Sequence, residues 1–318
     1  MGMLQQGKWT DNEVVQVAND GEFVRVASKF RDTIGAGPES RFAPEPGRYH
    51  LFTAPSCPWA HRTVIVRRIK GLEGVISNTA ADLPRIQGWT FSQGLDEMQP
   101  QNGQFPLHRV YCEALPDYTG RVTVPVMWDR KTRTIVNNES SEIIRFLNSA
   151  FRGIADDSID LYPEALRAQI DEVNGFVYEH VNNGVYRTGF AKTQQAYEAA
   201  CRKVFAGLEE IETRLSKQRF LAGDRLTEAD VRLFPTLVRF DSIYYSHFKC
   251  NLKRIEDFPN LSNYLRDLYQ RKGFGDTVDI AAFKHGYYTG QLQVNPTGIV
   301  PLGPNIDFSR PHDRARFG

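Results

Sequence analysis

The chain is short of cysteine, of net charge and of long apolar runs, and each shortage removes a class of protein. Its four cysteines among 318 residues show no paired spacing, so a disulfide framework is excluded and a reducing compartment, the cytoplasm, is the expected setting. A formal net charge of +1 offers no field to draw nucleic acid or an anionic membrane. No apolar stretch reaches the length of a bilayer span, and Met1-Gly2-Met3-Leu4-Gln5-Gln6-Gly7 lacks a signal-peptide core, so no membrane segment is expected. The seven histidines show no paired metal spacing and no C-x-x-C is present, so no metal is expected. There is no internal repeat and no low-complexity tract. What remains is ordinary globular composition, 41% hydrophobic and 24% charged, at a length that suggests two domains or one large one.

The most informative stretch is His50-Leu51-Phe52-Thr53-Ala54-Pro55-Ser56-Cys57-Pro58-Trp59-Ala60-His61-Arg62. It reads as a short strand, a turn and a cysteine at the mouth of a helix. Pro58 fits the first helical position, where its missing N–H costs nothing. The run Thr63 to Lys70 is helix-compatible and ends in basic residues and Gly71, as a helix C-terminus does. Cys57 therefore faces unpaired backbone N–H groups and the positive end of a helix dipole, both of which favour a thiolate. The competing reading is a small buried hydrophobe, the usual fate of a free cysteine. Ala60 stands where a second cysteine would complete a redox pair, so a reactive Cys57 can attack but cannot resolve its own disulfide. His61, one turn on, reads as a helix-surface residue.

Residues 1–47 are polar and punctuated by Gly35, Gly37, Pro38, Pro44, Pro46 and Gly47, and read as an arm, with a short strand at Phe23–Val26. From 48 to 152 the pattern is strand (Tyr49–Phe52), helix (Pro58–Lys70), strand (Val75–Thr79), then strand (Val122–Trp128), strand (Thr134–Val136) and a helix after Glu139. Between them lies a stretch near 83–119 with little periodicity, which is usually functional or an insertion. Pro125 cannot donate to a ladder, and a cis Val124–Pro125 bond is one way to hold a bend there. After a linker at Gly153–Asp160 the pattern turns helical. Leu166, Ile170, Val173, Val177 and Val181 recur at helical spacing until Asn182-Asn183-Gly184 stops them. Tyr197, Cys201, Val204, Leu208, Ile211 and Leu215 form the next stripe, which makes Cys201 a core residue. Thr227 and Asp230 spell a capping box, Pro235 should bend the helix that follows, and Pro259 opens one more. Val294–Asp307 reads as a wrapping tail, and Arg310, Arg314 and Arg316 as a solvated end. The expected architecture is an α/β thioredoxin-like N-terminal domain (48–152, with the insertion near 83–119) followed by an all-α C-terminal domain (160–318). Gly184 to Lys192 only superficially resembles a phosphate loop, because the segment before it is helical.

Cys57-Pro58-Trp59-Ala60-His61-Arg62, Arg121-Val122-Thr123-Val124-Pro125-Val126, Ile135 to Ser141 and Asn182 to Ala191 together resemble the glutathione transferase superfamily, and within it the xi class, the glutathionyl-hydroquinone reductases. The resemblance runs from about Arg48 to the Asn295-Pro296 and Val300-Pro301 tail. It implies the glutathione transferase fold, glutathione as co-substrate, and a homodimer built largely through the helical domain. It implies Cys57 as nucleophile, with Val124 pairing its backbone to the cysteinyl part of glutathione. Glu139 and Ser140 hold the γ-glutamyl amine and carboxylate, consistent with a carboxylate at a helix N-terminus. Trp89 and Arg121 hold the glycyl end, and Tyr186 and Tyr287 the quinol ring, with Tyr288 the rival for the last place. Each residue has a plainer alternative: Glu139 and Ser140 as helix-start residues, Trp89 as a core anchor, Tyr186 as an interface aromatic. The implied substrate is a glutathionylated hydroquinone or related aromatic. Glutathione conjugation, for which Ser56 is the available hydroxyl, general thiol transfer or deglutathionylation, and a non-catalytic interaction module are the rival functions.

Overall fold

Tyr49-His50-Leu51-Phe52-Thr53 is buried along its whole length, as a strand in the middle of a covered sheet must be. The computed structural model describes residues 2–11, 17–35, 37, 39–82 and 87–318. Pro38, and Leu83 and Pro84 at the start of the 83–119 stretch, lie outside the described residues. The chain divides into two compact units, Met1–Val14 with Val26–Ile159, and Val15–Arg25 with Asp160–Gly318.

The first unit contains β1 (Met3–Gln5), β2 (Lys8–Thr10), β3 (Tyr49–Thr53), α1 (Pro58–Ile69), β4 (Ser77–Ala80), β5 (Thr90–Phe91), β6 (Phe105–Pro106), α2 (His108–Ala114), β7 (Gly120–Arg121), β8 (Val126–Asp129), β9 (Thr134–Asn137) and α3 (Ser140–Ser149). Its main sheet has the order β4-β3-β8-β9. β4 runs parallel to β3, as the α1 crossover requires, while β8 and β9 run antiparallel. This is the expected thioredoxin-like arrangement. Apolar side chains including Phe52, Phe91, Phe105, Tyr111 and Trp128 form one core cluster. Two differences from the sequence reading have physical causes. β8 begins only at Val126, because Pro125 has no N–H to donate; Val122 to Pro125 is loop, and the Val124–Pro125 bond is cis. The aperiodic stretch also contains α2, a seven-residue helix with Val110 and Tyr111 buried, too short for a 3.6-residue repeat to emerge.

The second unit holds α4 (Arg167–Val177), α5 (Gly184–Phe190), α6 (Gln194–Leu215), α7 (Glu228–Arg239), α8 (Pro259–Tyr269) and α9 (Ile280–Tyr288). Between α4 and α5 the chain does not stop at Asn182-Asn183-Gly184; it widens into a π-type turn at Tyr178–Asn182 and resumes. A Cβ at Gly184 would lie 2.8 Å from Val204 Cγ2, so glycine there lets α5 and α6 approach closely. Cys201 is buried on α6, as its stripe predicts. The Thr227 backbone N–H donates to Asp230 Oδ2 at 2.9 Å, completing the capping box of α7. Asp230 also accepts from Leu221 N at 2.9 Å and Tyr264 OH at 2.7 Å, so the cap ties three segments together. Burial pushes its carboxyl above the usual value. α7 continues through Pro235 to Arg239 and then widens at Phe240–Tyr244.

Two further expectations are overturned in this unit. Arg314 is not part of a solvated end: it is fully buried, and its guanidinium donates to the carbonyls of Leu215 at 2.8 Å, Arg219 at 2.9 Å and Gln218. Leu215 ends α6, and Gln218 and Arg219 follow it, so the guanidinium sits at a helix C-terminus, where a cation is favoured. Phe23–Val26 is not a strand. Phe23 makes a single bridge with Val17, and its ring packs 5.3 Å from Phe190. Among the described residues, no helix is long and apolar enough to cross a membrane.

Candidate thiol site

Cys57 is the N-cap of α1, with extended backbone angles (φ −82°, ψ 113°) and Pro58 in the first turn. Its N–H donates to Ala54 O at 3.0 Å, which closes the turn after β3, and its carbonyl accepts from His61 N at 3.0 Å. The Ala60 N–H points at Sγ from 3.5 Å. No acidic residue occupies the first turn of α1, so the helix end that would stabilise a thiolate is not offset there. As a thiol, Sγ donates to Val124 O at 3.5 Å. The half-buried cysteine thus faces the cis-proline loop. His61 is buried at 4% exposure, not on the helix surface as its position suggested; α1 is wrapped on more than one side.

The turn between β9 and α3 is built by side chains as much as by backbone. Glu139 caps α3: its Oε1 accepts from Ser141 N at 3.2 Å and Ser141 Oγ at 3.0 Å, and its Oε2 from Ser28 Oγ at 3.2 Å. Ser140, the first residue of α3, is 2% exposed, and its Oγ is enclosed with no hydrogen-bond partner among the described residues. A buried hydroxyl left unpaired at a helix N-terminus is what a site for an anionic group would contain. Val124 is buried, Arg121 lies half-buried on β7 opposite Met3, and Trp89 is 5% exposed within the core cluster. Trp89 is therefore first of all a core side chain.

At the opposite end of β3 and β8 from Cys57, the charges are fixed. Arg48 donates to Asp129 twice, from Nε to Oδ1 at 2.8 Å and from Nη2 to Oδ2 at 2.7 Å. Burial opposes ionisation of Asp129, but the Arg48 hydrogen bonds, with Thr132 and the Lys131 N–H, hold its carboxyl below the usual value. His50 on β3 is pushed down to about 3 by burial, with Arg130 and Arg67 adding to the effect, so it is neutral at physiological pH.

In the second unit three tyrosines share a hydrogen-bonded chain. Tyr186 OH lies 2.5 Å from Tyr287 OH, which lies 2.9 Å from Tyr244 OH. All three are buried, and burial pushes the phenols of Tyr244 and Tyr287 well above their usual value. Tyr288 goes elsewhere, to Ser246 Oγ and to Ser242 O at 3.5 Å. Arg25 sits 5.1 Å over the Tyr186 ring. Tyr244 was not singled out from the sequence: it lies in the widened turn after α7, and only the aromatic density of Tyr244-Tyr245 marks it.

A cysteine at the first helix of a thioredoxin-like sheet, facing a cis-proline loop, defines a thiol-handling protein, here joined to an all-helical unit. The glutathione S-transferase N-terminal domain profile matches residues 56–150, and the C-terminal domain profile residues 194–267. Glutathionyl-hydroquinone reductase PcpF of Sphingobium chlorophenolicum is 50% identical over 96% of each chain. Glutathionyl-hydroquinone reductase YqjG of Escherichia coli is 46% identical over the whole of both chains. The glutathione-bound structure of YqjG superposes with a TM-score of 0.87 at 43% identity, covering 99% of each chain. A xi-class transferase from Natrialba magadii superposes at 0.90 and 44%, over 100% of this chain and 97% of that one. The chain belongs to the glutathione transferase family, in the xi class of glutathionyl-hydroquinone reductases.

Proposed function

We propose that this protein is a glutathione-dependent reductase that removes glutathione from glutathionyl-hydroquinones. Cys57 is the nucleophile. Its thiolate attacks the glutathione sulfur of the substrate, the carbon–sulfur bond breaks, and its electron pair passes to the ring carbon, which takes up a proton. The hydroquinone leaves, and Cys57 is held in a mixed disulfide with glutathione. A second glutathione thiolate attacks that disulfide, releasing oxidised glutathione and the Cys57 thiolate. The two electrons that reduce the ring carbon come from the two sulfurs that end as a disulfide, so no other reductant is required. The observation that most supports this reading is Cys57 Sγ, set 3.5 Å from the Ala60 N–H at a helix start and bonded to the cis-proline loop, in a chain half identical to a reductase of this name.

Glutathione is the co-substrate in this reading, as it is the bound molecule in the YqjG structure. The Val124 backbone pairs with its cysteinyl part, Glu139 and Ser140 take its γ-glutamyl end, and Arg121 and Trp89 its glycyl end, all within the 48–152 domain. The unpaired Ser140 hydroxyl supports the carboxylate assignment. Tyr186 and Tyr287, on the 160–318 domain, orient the ring hydroxyls and supply the proton; their hydrogen-bonded hydroxyls form the donor pair that this task needs. Ala60 fits the scheme, since external glutathione replaces a resolving cysteine. Ser56, the hydroxyl that conjugation would employ, is buried beside the half-buried Cys57, which is the more accessible nucleophile of the two. All four cysteines are free, in keeping with a cytoplasmic setting, and we place the protein there as a homodimer. The reading is tested with Cys57→Ser in steady-state assays on a glutathionylated hydroquinone. Loss of reduction supports it, and retained reduction contradicts it.

A further inference from the structure

We propose that Tyr111 is a positioning residue that sets the spacing between the two halves of the glutathione site, the cis-proline loop and the β9–α3 turn. The inference rests on the reading of function above.

The Tyr111 hydroxyl is the one polar group of α2 that reaches both segments. It donates to Thr123 O at 2.8 Å and accepts from Thr123 N at 3.2 Å, so it holds both backbone groups of the residue that precedes Val124. It also accepts from Asn138 Nδ2 at 3.1 Å, from the residue that precedes Glu139. The loop it holds carries no ladder hydrogen bonds, because Val122 to Pro125 stand outside β8. A loop without a ladder needs its backbone satisfied by other partners, and here one buried phenol satisfies both backbone groups of Thr123 while Cys57 Sγ meets the Val124 carbonyl. Tyr111 is fully buried, packed by Tyr118 at 5.0 Å and Phe30 at 5.8 Å between ring centroids. Burial raises its phenol above the usual value, so it keeps the proton it donates. The far side of the link is braced too: Asn138 Oδ1 accepts from Phe30 N at 3.2 Å, and Asn138 N donates to Phe30 O at 3.1 Å.

Two of the contacts proposed for glutathione, the Val124 backbone and Glu139, therefore stand one residue beyond the two ends of one hydrogen-bonded bridge, with Ser140 next after Glu139. A ligand that spans both contacts requires their separation to be fixed; a ligand that uses only one does not. The phenol itself touches no reacting atom.

The test uses the full-length protein, glutathione, and cysteinylglycine, which lacks the γ-glutamyl group. Tyr111→Phe removes the hydroxyl and keeps the ring; Asn138→Ala removes the link from the other side and serves if the first variant folds poorly. Loss of one buried hydrogen-bonded link is expected to raise the Kd and KM for glutathione about tenfold. Affinity for cysteinylglycine, read as an inhibition constant, and kcat at saturating glutathione are expected to hold. The double variant should be no weaker than the weaker single one. Equal weakening of both probes, a fall in kcat without a rise in KM, or no change in either variant overturns the proposal. Failure of the wild-type protein to bind glutathione at all overturns the functional reading, and the proposal with it.

Discussion

Ser140→Ala should move stability and binding in opposite directions. The Ser140 hydroxyl is enclosed, on a residue 2% exposed, with no partner among the described residues. An unsatisfied buried hydroxyl costs roughly 1–3 kcal/mol. Alanine removes that penalty and leaves a cavity the size of one oxygen, so the ligand-free variant should be as stable as the wild type or more stable by about 1 kcal/mol. Glutathione binding should weaken. A hydrogen bond from a hydroxyl to a carboxylate is worth about 1.5–3 kcal/mol, which corresponds to a Kd raised roughly 10- to 150-fold. The paired assays are urea unfolding without ligand and calorimetry with glutathione. A variant that loses more than about 1 kcal/mol in the first assay refutes the unpaired-hydroxyl reasoning. Unchanged affinity in the second removes Ser140 from the glutathione site.

Arg48→Met leaves Asp129 buried with only Lys131 N and Thr132 Oγ1 as partners, and should cost about 3 kcal/mol near neutral pH by denaturant unfolding. Because Asp129's carboxyl is held below its usual value in the folded state, its contribution is present above the unfolded carboxyl pKa of about 3.9 and is lost as pH falls through the folded value. The gap between variant and wild type should therefore narrow in acid, and a gap that widens there contradicts the assignment. Gly189→Ala would place a Cβ 2.2 Å from Phe248 Cγ, costing about 1–3 kcal/mol. Since that ring stacks on Tyr244 at 5.4 Å and meets Tyr186 edge-on, reductive turnover should fall as well; unaltered stability would show that the ring moves freely. Tyr287→Phe should lower kcat by about 10²-fold while leaving glutathione affinity unchanged, a split that steady-state kinetics and calorimetry separate.

Local chemistry made the thiol site legible. Cys57, Pro58 and the strand before them announce a helix mouth from sequence alone, and Pro125 signals a break in its strand by the N–H it lacks. The capping box at Thr227 and Asp230 is equally local. Features set by tertiary contact were hidden. α2 spans two turns and buries only Val110 and Tyr111, which is too little for a repeat to show. Tyr111's role depends on Thr123 and Asn138, residues 12 and 27 positions away. Arg314 looks like a solvated cation because nothing near it in sequence reveals the carbonyls at and just after the end of α6, 95 to 99 positions away, that it binds. Tyr186, Tyr244 and Tyr287 come from three helical segments, and only the fold of the second unit joins their hydroxyls.

The central claim is that Cys57 alone carries glutathione between substrate and product. Mass spectrometry of the protein after exposure to a glutathionylated hydroquinone tests this most directly. A single glutathione adduct on Cys57, absent from Cys112, Cys201 and Cys250 and removed by free glutathione, is the predicted result. Hydroquinone released with no adduct on Cys57, or an adduct there that free glutathione leaves in place, contradicts the account.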